Sequence, residues 1–388
     1  MTVVSGGRRR LRLVVLVAVL ATSVSLVPPA RSAVAAARPP AGADGYANPV
    51  FDRNFPDPFV LRQGSTSYAF GTNADWVEGP GGLRNIPVLR SSDLARWTVV
   101  RDALPAANLG SWVDRSRLPG RIWAPSVLER WYGRPYWVMY YGAPTVDDDQ
   151  CIGVAVATHP TGPYRDTSDR PMICQTEKDG SIDASPFLVP GSGGRNPDAV
   201  LTWKSENNVS GRSTEIWAQR VLPSGTALEP GEPRLLLRGD PTIAWERSVI
   251  PTFALIEGPT IVPAPGGRRY VLVYSSGFIF GTASIGYAVC RNVGGMPERC
   301  RRRTGVRTAP WVSEDEGARG PGGQELFEDG GGNLWIAYHA RSETTVQDRT
   351  LRLDRVCFRS RRRLVTNAPT VDAMVPLARD GRCSRGMA

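Results

Sequence analysis

The stretch APSVLERWYGRPYWVMYYGA, residues 124–143, opens on a proline corner, runs into an apolar strand, turns at Gly133 and returns as an aromatic-rich strand. Four other stretches repeat that plan: DPFVLRQGSTSYAFGTN (57–73), SPFLVPGSGGRNPDAVLTW (185–203), GPTIVPAPGGRRYVLVYSSG (258–277) and QELFEDGGGNLWIAYHA (324–340). The corners fall at Pro58, Pro125, Pro186 and Pro259, spaced 61 to 73 residues apart, and the fifth unit starts at Gln324. Short alternating runs bounded by Gly and Pro belong to strands, not helices. A third strand follows in several units, as CIGVAVATHPTGPY (151–164), its echo ASIGYAVCRNVGG (283–295), and PVLRSSDLARWTVV (87–100). Repeats of about 40–50 residues with four strands each are propeller blades, and longer loops stretch the unit. Five of them predict an all-β fold, a single five-bladed β-propeller domain over residues 47–388. A β-sandwich would not explain why one strand-pair motif recurs.

Composition agrees with a globular chain. Of 388 residues, 41% are apolar and 22% charged, too apolar for a disordered protein and too charged for a multi-span membrane protein. Arg8, Arg9, Arg10 and Arg12 precede an apolar run over 13–27, and Ala33-Val34-Ala35 offers a small-residue cleavage site. The run is shorter than the roughly 20 residues of a membrane-spanning helix. A secretory signal peptide over 1–35 is expected, then a flexible segment over 36–46. The mature protein is expected to be secreted and free of the membrane. Without residues 1–35 the formal charge falls from +10 to +5.

Two arginine clusters remain, Arg299 with Arg301–Arg303, and Arg359 with Arg361–Arg363. They lack interleaved aromatics and read as solvated loops, not as a nucleic-acid site. A weak attraction to anionic cell-wall polymers is the other reading. Lys178 and Lys204 are the only lysines among 47 basic residues.

Six cysteines in an exported chain suggest three disulfides, formally open among 15 pairings. Sequence neighbours pair naturally as Cys151–Cys174, Cys290–Cys300 and Cys357–Cys383, each inside one repeat, where a cross-link supports exposed outer strands. His159 and His339 are the only histidines, which argues against a His-ligated metal enzyme.

Inner strands of a propeller all start at one end of the central channel, so the residues before each corner converge on its mouth. They read NFPDPF, IWAPSV, SIDASPF, LIEGPT and GPGGQEL, and three carry an acid: Asp57, Asp183 and Glu257. One such acid could be a turn cap; three at equivalent places suggest chemistry. Splitting a glycosidic bond takes one protonated carboxyl as donor and one ionised carboxylate to activate water. A neighbouring acid and burial raise the donor's pKa. Carboxylates on different blades face each other across a channel, as inverting hydrolysis requires.

These blocks, Asn-Phe-Pro-Asp57-Pro-Phe, Trp123-Ala-Pro, Ser-Ile-Asp183-Ala-Ser-Pro-Phe and Ile-Glu257-Gly-Pro, resemble those of family 43 glycoside hydrolases. The resemblance implies a five-bladed propeller that cleaves arabinose- or xylose-containing polysaccharides with inversion. It implies Asp57 as general base, Glu257 as general acid and Asp183 as the residue that raises and orients the acid. In that family a Gly-Pro-Gly-His block often faces a channel calcium. Here it reads Gly320-Pro321-Gly322-Gly323-Gln324, so Gly323 replaces the histidine, no metal ligand is assigned and no cofactor requirement is expected.

Sugar C–H faces stack on aromatics, which makes Trp123, Trp76 and Trp112 candidate substrate contacts. Arg341, in Tyr-His339-Ala-Arg341, is a candidate for sugar hydroxyls. The leading expectation is a monomeric enzyme acting on α-L-arabinofuranosyl or related pentose or furanose linkages. β-Xylosidase, endo-arabinanase and galactofuranosidase are alternatives, and so is a non-catalytic carbohydrate-binding propeller.

Overall fold

The computed structural model describes residues 45–74, 84–118, 120–277, 283–342, 348–370 and 375–376. The expected signal peptide and most of the segment after it lie outside the described residues. Strands dominate, and the described residues hold a single α-helix, Thr304–Thr308, too short to cross a membrane.

Four-stranded antiparallel sheets recur along the chain. The first blade orders Phe59–Gln63, Thr66–Phe70, Pro87–Ser91 and Thr98–Asp102 from inside to outside. The third uses Ser181–Leu188, Ala199–Ser205, Glu215–Val221 and Arg234–Arg238. The fourth uses Ile256–Pro263, Arg269–Ser276, Ser284–Val293 and Met296–Arg302. The second blade has three strands, Trp123–Tyr132, Arg134–Pro144 and Gln150–Ala157, with single bridges from Ile173 and Arg165 beside the last of them. The five blades form the expected propeller.

The fifth blade is built from both ends of the chain. Arg319–Glu328, Leu334–Arg341 and Arg349–Ser360 come from its own repeat, and Phe51–Asn54 pairs with the third of these. Arg363–Thr366 pairs further along the same strand. This joins the first repeat to the last and closes the ring, so the sheet system has no unpaired seam there.

Second strands are the most apolar because a neighbouring blade covers each face. Arg134–Pro144 is buried from Trp137 onward, and Arg269–Ser276 is buried from Tyr270 onward. Five apolar clusters result, one at each blade-to-blade junction. Val127 and Met139 meet Phe70 and Val88 between blades two and one, and Trp203 and Leu201 meet Val138 and Tyr140 between three and two. Ile216 meets Leu272 between three and four; Val271 meets Ile336 between four and five; Trp335 meets Val60 and Ala69 where five meets one.

Cys151 is bonded to Cys174 in the second blade, and Cys290 to Cys300 between the third and outer strands of the fourth. Both pairs tie outer parts of one blade, as expected. Cys357 is disulfide-bonded too, while Cys383 lies outside the described residues.

Candidate active site

Each inner strand carries a local irregularity just after it leaves the mouth. Register with the second strand slips at 123/126, 182/185, 257/260 and 322/325, so two residues there face one partner. The first extra residue adopts a left-handed backbone: Ala124 (φ 42°), Asp183 (φ 58°), Gly258 (φ 57°) and Gly323 (φ 54°). Asp57 (φ 50°) holds the same place before the first inner strand. Such bulges re-aim side chains, and a non-glycine residue in this region is uncommon and bears strain. Asp57 and Asp183 are therefore strictly equivalent. Glu257 is not: it sits one residue earlier, because Gly258 takes the bulge position.

All three acids nonetheless line one cavity of about 470 Å³ at the channel mouth. Asp57 accepts a hydrogen bond from Thr72 Oγ1 (2.6 Å), and Arg349 Nη1 lies 3.5 Å from its Oδ1. Burial alone would raise this carboxyl, but the Arg349 guanidinium and its hydrogen-bond partners outweigh it. Asp57 is held well below the usual carboxylate range. His339, kept neutral by burial, accepts the Asp57 backbone N–H at Nδ1 (3.1 Å) and fixes the strained turn.

Asp183 and Glu257 behave in the opposite way. Burial pushes the Asp183 carboxyl up to about 8 against the pull of Lys204, with the charges of Glu257 and Asp57 adding to the rise. Its Oδ2 accepts the Gly258 N–H at 2.9 Å. Glu257 is also raised, chiefly by burial, with Glu206 and Asp57 adding to it. Lys204 opposes that rise: its Nζ donates to Glu257 Oε2 (3.2 Å) and to Glu206 Oε1 (2.8 Å). The mouth thus holds one carboxylate kept well below the usual range in the same cavity as two that burial pushes up. That is the arrangement for simultaneous base and acid work on one bond.

Of the predicted aromatic contacts, Trp123 lines the cavity, its ring tethered by Nε1 donating to Gly120 O (3.1 Å) and topped by the Arg121 guanidinium at 5.6 Å. Trp112 does not line it. Its ring is 8% exposed, stacks on Tyr141 and donates from Nε1 to Asp166 (3.1 Å), which makes it a packing residue between blades one and two. Trp76 lies outside the described residues. Arg341 also misses the cavity wall: it is buried at the end of its strand, facing Arg349 in register, and Arg349 is the arginine that reaches the acids.

Lys204, Glu206, Thr72, Arg349 and Glu325 were not anticipated from the sequence. Glu325 sits deeper, two residues past Gly323, accepting from Ser185 Oγ (3.0 Å) and Thr260 Oγ1 (2.8 Å). The donor set suits a channel calcium poorly. Gly323 offers no side-chain ligand, and a Cβ there would fall 2.4 Å from Asp57 Oδ1 and 2.6 Å from the His339 ring. His339 Nδ1 is committed to Asp57, both Glu325 oxygens carry hydroxyl bonds, and no cluster of three ligating side chains exists among the described residues.

A propeller whose mouth gathers carboxylates shifted in opposite directions, beside the Trp123 ring, has the apparatus of a glycoside-cleaving enzyme. The chain belongs to glycosyl hydrolases family 43, whose family model matches residues 46–361. Among solved structures it is similar to a thermostable family-43 glycoside hydrolase (TM-score 0.68, 24% identity, covering 86% of this chain and 99% of that one). It is also similar to an endo-1,4-beta-xylanase from Bacteroides thetaiotaomicron (0.62, 21%, 82% and 96%). A third likeness is to an alpha-L-arabinofuranosidase from Lactobacillus brevis (0.59, 16%, 82% and 95%). At these identities the likenesses speak for the fold. No curated protein matches the sequence.

Proposed function

We propose that this protein is a secreted, inverting glycosidase that cleaves α-L-arabinofuranosyl or related pentose or furanose linkages in polysaccharides. One observation carries the reading: Asp57, held ionised, shares a single cavity with Glu257 and Asp183, which are both pushed toward the protonated state. The sugar sits between them with one face on Trp123. Asn73 and Asn208 also line the cavity and bring amide groups to its wall.

Glu257 donates its proton to the leaving oxygen as the glycosidic bond breaks. Asp57 takes a proton from a water that attacks the anomeric carbon on the other face, so configuration inverts. Asp183 shares the buried proton with Glu257, keeping the donor loaded, and its bond to the Gly258 N–H fixes the neighbouring backbone. Arg349 and Thr72 hold Asp57 ready to accept. The leader and the outer-strand disulfides support export.

The test is turnover of nitrophenyl arabinofuranoside, xyloside and galactofuranoside, with NMR of the first-formed anomer. Arabinofuranoside should be the best substrate and the product inverted. Glu257→Gln should lose at least about a hundredfold in kcat, the usual share of a general acid. Retention of configuration, or unchanged activity in Glu257→Gln, would overturn the mechanism. Sugar affinity without any hydrolysis would favour a binding propeller.

A further inference from the structure

Away from the mouth, blades four and five share a cleft walled by arginine. The inner strand of blade four leaves the mouth at Glu257 and reaches its turn at residues 264–268, so that turn lies at the opposite end of the channel. By the same antiparallel logic, Val293 and Ser360 end their strands on that end too. Arg268, Arg269 and Arg291 come to the cleft from blade four, and Arg361 and Arg362 from the turn after Ser360. Arg299 and Arg301 on the outer strand of blade four, and Arg303 just past its end, continue it.

Two cavities of about 490 and 420 Å³ share Arg269, Arg291 and Arg362, which makes them one trough. Arg303 Nη1 donates to Arg362 O (3.3 Å) and bridges the two blades beneath it. No carboxylate lines the trough among the described residues. Glu298, opposite Arg291 on the outer strand, pairs with Arg234, and of the trough arginines Arg302 is held by the buried Glu246. Arg269 and Arg291 stand directly opposite each other on adjacent strands, an arrangement of like charges that disfavours the sheet. Most of these side chains are exposed, so solvent limits the repulsion without removing it.

We propose that this trough is a docking site for an acidic polysaccharide, one that carries carboxylate or phosphate along its chain. Guanidinium forks match both anions in a bidentate manner, and a row of them suits a polymer with charges at intervals. The outer strand alone runs about 20 Å. The lining holds Arg, Val, Pro, Gly and Asn but no aromatic, so it lacks the platforms on which unpaired nucleic-acid bases stack. The trough lies at the end of the channel away from the mouth, so an acidic polymer held there leaves the mouth free for a neutral sugar. The site therefore localises the protein on a charged matrix without obstructing turnover.

The experiment measures binding of the full chain to polygalacturonate and to a phosphomannan, with neutral arabinan and oligo(dT) as comparisons. The wild type should bind one or both acidic polymers, and more weakly as ionic strength rises. The variant carrying Arg299→Ser, Arg301→Ser, Arg361→Ser and Arg362→Ser should lose about tenfold or more in affinity, in line with the loss of electrostatic steering. Its melting temperature and its hydrolysis of a small glycoside should not change. If that variant fails to fold, Arg361→Ser with Arg362→Ser in the exposed turn should still weaken binding. Which polymer binds identifies the anion. Absence of binding to both, equal binding by the variants, or tighter binding to oligo(dT) would each overturn the proposal, whatever the outcome of the turnover assays.

Discussion

Lys204 is buried between Glu206 and Glu257 at 2.8 and 3.2 Å, so two opposed effects meet at the proposed proton donor. Burial raises the Glu257 carboxyl and the Lys204 charge lowers it, which leaves the group raised. In Lys204→Met the lowering influence goes while the raising ones stay. Glu257 and Asp183 then keep their proton to higher pH. The alkaline limb of kcat against pH should move up by about one unit, a size typical of a lost neighbouring charge. The acid limb, set by Asp57, should stay. An alkaline limb that stays or falls would remove Lys204 from the proton balance. The one trace of this residue in the sequence is that Lys204 is one of only two lysines in an arginine-rich chain, where a compact charge replaces a planar fork. Asp57, Asp183 and Glu257 were legible because their repeats align. Arg349 was not, because it starts a third strand and reaches the mouth only through the register that also sets Arg341 aside.

At the scale of strands, the recurrent corner motifs exposed five inner hairpins, but nothing in Phe51–Asn54 marks it as a partner of Arg349–Ser360. It is four residues long, lacks alternating burial, and its partner is about 300 positions away along the chain. Nor could its anchor be foreseen. Asn48, almost fully buried, donates to Leu353 O (2.9 Å) and Thr370 Oγ1 (2.8 Å) and accepts the Leu353 N–H (3.0 Å). Asn48→Ala strands the buried Leu353 N–H and removes the bonds to Leu353 O and Thr370, although Leu353 O keeps the Tyr46 hydroxyl at 2.7 Å. It should cost about 2–4 kcal/mol, from several bonds at about 1 kcal/mol each and the unpaired groups left behind. Urea unfolding measures the loss. A change under about 0.5 kcal/mol, the range of ordinary surface substitutions, would mean that the closing strand does not depend on this anchor. The bulges were partly legible for the same local reason: glycine at 258 and 323 signals a left-handed turn, whereas alanine at 124 hides one.

Across the whole molecule, closing the ring buries carboxyls that the unfolded chain exposes, and this sets how stability depends on pH. Burial pushes Glu325 up to about 8, despite the hydroxyl bonds to both of its oxygens, and Asp183 to a similar value. Between the ordinary carboxylate value and about 8, the folded protein keeps these protons and the unfolded chain has released them. Folding binds protons in that window, so stability falls as pH rises through it. Asp57 works in the other direction: its depressed carboxyl contributes above the ordinary value and is lost only as pH falls well below it. The stability maximum should therefore lie on the mildly acidic side of neutrality. Glu325→Gln separates these contributions, because glutamine has the shape of the protonated acid and cannot release a proton. Melting curves of variant and wild type should coincide near pH 4 to 5 and diverge above it. The variant should melt several degrees higher by about pH 8, since a stability gain of several kcal/mol moves the melting point of a domain this large by about 1–2 °C per kcal/mol. Curves that run parallel at every pH would show that Glu325 stays ionised in the folded channel, with its two hydroxyl donors outweighing burial.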